Sequence, residues 1–126
     1  MSSGKSIFIK SFNNLFFKLF EEVLELFPDN QEILKGKIAC ETLKSMNITS
    51  LIKGWKLYIT SKYKTEIQDG NFDFFMKHNY EEDVSGNQEL LKMIQQLREP
   101  IESMNEDQRN SCFLKIQQLT QWSEIY

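Results

Sequence analysis

The feature that most constrains this chain lies between Phe12 and Phe27. There the apolar positions Phe12, Leu15, Phe16, Leu19, Phe20, Val23, Leu26 and Phe27 recur at spacings of three and four. That is the period of one helical face, so the stretch predicts a first helix with a broad buried side. Pro28 ends it, because a proline disfavours the helical region for the residue before it. Phe17 and Leu24 fall off the main stripe and widen the apolar sector beyond what a two-layer packing needs. Either a second layer of the protein covers them or a partner does, which makes Phe17 and Leu24 candidate protein contacts. A membrane-surface role for this helix is the weaker reading: its second half carries Glu21, Glu22 and Glu25 where anionic lipid would favour lysine.

Further helices follow. Asp29 or Asn30 can cap a second one, whose expected buried side is Leu34, Ile38, Thr42 or Leu43, and Met46. A third helix restarts near Asn47 or Thr49 and carries Ile48, Ile52, Trp55, Ile59 and Tyr63 on a narrow arc, with Lys53, Lys56, Thr60 and Lys64 as an adjoining polar ridge. Asp69-Gly70 signals a turn. Phe72, Phe74, Phe75 and Met76 then make a short apolar island, read as one or two helical turns capped by Asn71. Residues 81–87 form the strongest loop signal, acidic and containing Gly86. Leu90, Leu91, Ile94, Leu97 and Ile101 return at helical spacing across Pro100, which must kink or restart the helix. Asn105 with Gln108 forms a capping-box pattern. Beyond it Cys112, Phe113, Ile116, Leu119, Trp122 and Ile125 give the inner face of a last helix. The expected fold is all-α, a compact bundle of five or six helices in a single domain over residues 1–126, with 1–5 flexible.

The motifs that carry chemistry are thin. Gly4-Lys5-Ser6 matches only the tail of a phosphate-binding loop, with no glycine five residues earlier and no preceding strand. The lone His78 cannot build a multi-histidine metal site. Cys40 and Cys112 stand apart, without a C-x-x-C pair, and read as reduced packing residues. Glu21 with Glu25 and the acidic run 81–83 read as solvated charges, and that run lacks the spaced oxygen ligands of a calcium loop. No secretory signal or stretch of roughly 18 uncharged apolar residues is present. The expectation is a non-enzymatic intracellular protein without metal or cofactor.

Charge is divided along the chain. From Lys35 to Lys64 seven lysines meet the single acid Glu41, after which the balance turns acidic up to Asp107, for a net charge of −3. Two helices neutralising each other account for this most simply. The alternative is a nucleic-acid footprint on the third helix, with Lys53, Lys56 and Lys64 as contacts. The scarcity of arginine and a pI near 5.2 weigh against that reading.

Three segments together resemble a known family. They are Phe12-Asn13-Asn14-Leu15-Phe16 running to Phe27-Pro28-Asp29; Leu51-Ile52-Lys53-Gly54-Trp55-Lys56-Leu57-Tyr58 running through Tyr63 and Ile67 to Gly70, Phe74-Phe75 and Tyr80; and Leu97-Arg98-Glu99-Pro100-Ile101 through Met104 to Leu119 and Ser123-Glu124-Ile125-Tyr126. In that order they resemble a family of small helical proteins encoded by large double-stranded DNA viruses of algae and amoebae. The resemblance brings no catalytic residues to this chain. It implies synthesis in the host cytoplasm, admits packaging in the virion as a minor capsid or internal component, and makes viral proteins or a second copy of the chain the expected partners.

Overall fold

The structure, a computed structural model, describes residues 3–77 and 96–126. His78, the 81–87 loop and the apolar positions Leu90, Leu91 and Ile94 lie outside the described residues. Among those described, every regular element is helical and no strand occurs, as an all-α bundle requires.

Helix α1 runs Ser3–Leu26. It begins earlier than expected: Ser3 to Lys5, anticipated as a flexible start, form its first turn. Phe12, Phe16, Leu19, Phe20 and Val23 are fully buried, so the aromatic stripe is the floor of the core. Leu26, at the helix end, turns outward instead. The chain turns at Pro28, and Asn30 caps α2 (Gln31–Met46), its side-chain oxygen accepting from the Ile33 N–H at 3.1 Å.

On α2 the expected face is corrected. Ile33, Gly36 and Cys40 are buried, whereas Leu34, Ile38 and Met46 are 38%, 56% and 78% exposed and Thr42 is exposed as well. Helix α1 already presents large rings, and of the α2 residues set against the core only Ile33 is bulky; Gly36 and Cys40 are small, and the second bulky row is left outside. Leu43, one of the two alternatives at its position, packs partly against the core.

The third helix is continuous but not uniform. Ser50–Trp55 (α3) passes through a π-helical turn, Lys56–Thr60, into α4, Ser61–Gln68. Ser61 N–H reaches back five residues to the Lys56 carbonyl. Such a turn takes in one extra residue and shifts the helical register by about 100°. Ile52, Trp55, Ile59, Tyr63 and Ile67 stay buried. Thr60, expected on the outer ridge, is instead swung inward to 5% exposure and shares a short hydrogen bond with Ser123. Ile48 precedes the helix and is exposed, not core.

Helix α4 ends in a left-handed cap. Gly70 has φ +81°, the Asn71 N–H bonds the Glu66 carbonyl and the Gly70 N–H bonds that of Ile67. This closes the free carbonyls of the last turn. Helix α5 is Phe72–Lys77. Residues 96–102 form α6, with Leu97, Pro100 and Ile101 buried. The helix continues through Pro100 to residue 102, and the chain then restarts: Asn105 and Gln108 exchange both bonds of the capping box at the head of α7, Glu106–Ile125. Cys112, Phe113, Ile116 and Leu119 face the core. Ile125 does not, being 75% exposed, and Trp122 is only partly covered, edge-on to Phe8.

The reversed face of α2 sets up a direct comparison. Ile33→Ala should destabilise the protein by about 2–5 kcal/mol, as for a fully buried aliphatic side chain, while Ile38→Ala should cost no more than about 0.5 kcal/mol. Urea unfolding of the two variants checks this. Equal losses would restore the face expected from the sequence.

Candidate functional site

The sequence-derived contact residues fall on the outer side of α1 and α2. Phe17 and Leu24 are half-buried and lie against the core cluster, so the protein itself covers part of the surplus apolar sector. Phe17 meets Phe16 edge-to-face at 5.5 Å and carries the Lys44 ammonium 5.4 Å above its ring. It forms the apolar floor of an open groove of about 430 Å³ between α1 and α2, edged by Lys18, Lys37 and Lys44 and by Glu21 and Glu41. Lys37 and Glu41 face each other at 4.0 Å. A groove of this kind can seat a side chain with an apolar body and a charged end.

Beside the groove lies the row that α2 turns outward. Leu34, Ile38, Thr42 and Met46 follow one another at steps of four residues, rising about 18 Å along the axis while winding about 120° around it. Ile48 continues the apolar surface beyond the helix end, at 44% exposure. Its carbonyl is gripped by the buried Asn13 Nδ2 at 3.0 Å, which pins the α2–α3 connection to α1. The remaining oxygen of Asn13 is buried without a partner.

The lysine ridge is split. Lys53 and Lys56 are exposed and make no ion pair among the described residues. Lys64 is tied to Glu124 at 2.8 Å, and Gln68 donates to the other Glu124 oxygen at 3.3 Å. Lys64 therefore finds its acid on α7 and not in the acidic stretch that follows it in sequence. Lys56, Lys62 and Lys64 border an open groove of about 360 Å³ that also contains Glu66 and Glu124.

One cluster was not foreseen. Glu22 on α1 accepts from Cys112 Sγ at 3.1 Å, Ser111 Oγ at 2.8 Å and Lys115 Nζ at 3.0 Å, all on α7. Ser111 and Lys115 stand one turn apart on a common face, a signal visible in the sequence; their partner 89 and 93 residues away is not. Burial alone would raise the Glu22 pKa, but the three donors and the Lys115 charge outweigh it and hold the carboxyl below its ordinary value. Burial, with the facing Glu22 carboxylate, pushes the Cys112 thiol up to about 12, and burial does the same at Cys40. Both are buried thiols outside any disulfide, and poor nucleophiles. Among the described residues no group of three or more His, Cys, Asp or Glu side chains is placed to hold a metal ion, and no helix is long and apolar enough to cross a membrane. No family model, curated protein or solved structure matches the chain.

Because the folded-state pKa of Glu22 lies below its ordinary 4.5, the stability it adds is present above that value and lost as pH falls through the folded-state pKa. Glu22→Gln should therefore lower the urea midpoint at neutral pH and match the wild type in acid. A constant gap between the two across the whole range would remove the clasp from the account of stability.

Proposed function

We propose that this chain is a non-enzymatic interaction protein that works by contact of helix faces, with the outer α1–α2 surface as its contact side. The observation that carries the reading is the α2 row of Leu34, Ile38 and Met46, left in solvent by a helix that buries Ile33, Gly36 and Cys40 instead. Single exposed aliphatic side chains are common on any protein; several grouped on one side of a helix mark a contact surface. The adjoining groove, with Phe17 in its floor, extends that surface toward α1. Leu24 lies on the same helix but against the core, and supports the surface more than it forms it. The setting we propose is the one the family resemblance implies, a viral protein made in the host cytoplasm and carried in the particle as a minor component.

Nucleic-acid binding through Lys53, Lys56 and Lys64 is the weaker reading. Lys64 is engaged by Glu124, Thr60 has left the ridge, and two carboxylates share the groove beside it. Phosphate contacts supply most non-specific affinity, and nearby carboxylates oppose them.

Ile38→Asp combined with Met46→Asp should leave the melting temperature within a few degrees of wild type, since both positions are exposed, while removing the partners retained by the tagged wild-type protein. Quantitative mass spectrometry of parallel purifications checks this. Identical partner profiles for the two proteins would end the reading.

A further inference from the structure

Around Cys112 the fold gathers donor atoms of three kinds from three separate places. Glu22 is fixed on α1 and Cys112 on α7, while Met104 sits in the turn between α6 and α7, where Arg109 Nη2 donates to its carbonyl at 3.2 Å. Cys112 Sγ lies 3.1 Å from Glu22 Oε1 and 3.7 Å from Met104 Sδ. A thiol has one proton to give, and here a carboxylate and a thioether both face it. Whichever way the S–H points, one acceptor goes unserved. Glu22 and Cys112 are 90 residues apart, so no spacing in the sequence marks the set. Methionine supplies the donor that His, Cys, Asp and Glu side chains alone do not.

The distances suit a shared ion. Two sulfurs 3.7 Å apart can both lie about 2.3 Å from one metal, with the angle between the bonds close to tetrahedral. The carboxylate oxygen, 3.1 Å from Cys112 Sγ, fits the same ion at about 2.1 Å with its bond near a right angle to that of Cys112. Softness then narrows the choice: thiolate with thioether selects copper(I), and a single carboxylate makes no site for a hard cation. Charge narrows it again. Lys115 Nζ stands 3.0 Å from the other Glu22 oxygen and opposes added positive charge. An ion of charge +1 that replaces the thiol proton leaves the net charge of the cluster unchanged, whereas zinc(II) would raise it. Cys112 and Met104 are buried, but Glu22 keeps 26% of its side chain in solvent, so the carboxylate is the entrance and the sulfurs are the inner end.

We propose that Cys112, Met104 and Glu22 form a binding site for a soft monovalent metal ion, copper(I) by class, which ties α1, the α6–α7 turn and α7 together at one atom. On binding, the Cys112 S–H bond breaks and an S–metal bond forms. The proton leaves to solvent by way of the Glu22 carboxylate, and no electron is transferred. The site is separate from the α2 contact surface, and neither depends on the other.

Silver(I), of the same charge and softness but without redox chemistry, is the probe. Silver nitrate is titrated into the intact protein in chloride-free buffer, and isotopically labelled methionine methyl groups are followed by NMR. One equivalent should shift a single methyl signal, the one missing from Met104→Leu, and raise the melting temperature. Met104→Leu conserves volume and keeps the thiol, and it should bind silver more weakly by about tenfold or more, at least what a lost supporting group costs a metal site. In Cys112→Ser the Met104 signal should stay in place, while Cys40→Ser should behave as wild type. A Met104 methyl that does not move, or equal silver affinity with and without Met104, would leave only an ordinary thiol and overturn the proposal. Silver binding lost in Cys40→Ser, or unfolding at one equivalent, would overturn it as well. One equivalent of zinc(II) shifting the Met104 methyl would overturn the choice of a monovalent ion.

Discussion

The packing of α1's aromatic stripe around Trp55 is the contact on which the rest of the molecule depends. Phe12 and Phe16 both meet the indole edge-on, at 6.4 and 6.1 Å between centroids, and Phe16 stands 5.3 Å from Phe20. Edge-to-face rings add about 0.5–1.5 kcal/mol each beyond the area they bury, and their fixed geometry sets the angle at which the third helix crosses the first. The indole N–H then needs a partner in a region without water. Thr120 on α7 supplies it at 3.0 Å, itself donating back to the Ile116 carbonyl. One residue thus joins three helices, its ring to α1 and its nitrogen to α7.

From that point a polar seam runs along the α4–α7 contact. Thr60 reaches Ser123, Ser123 donates to the Thr120 carbonyl, and Gln117 Nε2 donates to the Ile67 carbonyl at 2.9 Å. The π turn is what brings Thr60 to this seam, so an irregularity in one helix is matched by small hydroxyl residues on another. Buried polar groups that are fully bonded fix register more strictly than apolar contact does. On the opposite side of α7 the Glu22 cluster holds the same helix to α1. Between them these two polar contacts leave α7 little freedom to rotate, which explains how a helix with so mixed an inner face keeps one orientation.

How much of this was legible follows from the strength of each pattern. Helix α1 could be read because its large rings repeat without competition, and Asn30, Gly70 and the Asn105–Gln108 box could be read because each is a local device with a local cause. The face of α2 could not. Its apolar residues form two adjoining rows, and hydropathy alone favours the one with Leu34, Ile38 and Met46; only packing against what already fills the core decides for Ile33, Gly36 and Cys40. Thr60 was misplaced because a π turn leaves no mark in residue types, and the Glu22 cluster is a meeting of distant segments. For the contact surface, Phe17 and Leu24 were found as surplus apolar residues, yet both are partly buried against the core. The residues that stand most open were visible from the start and assigned to the interior.

That misassignment has its own physical meaning. A sequence whose helix period points one way and whose packing points the other is in local conflict, and such conflicts concentrate where a chain meets something other than itself. Ile7, Leu57, Leu114 and Ile125 are also exposed, but they stand on α1, the π turn and α7 as scattered members of mixed faces. Leu34, Ile38 and Met46 instead share one sector of a helix whose other side already serves the core. A second core-like face without a core beneath it is the pattern of a helix shared between two molecules.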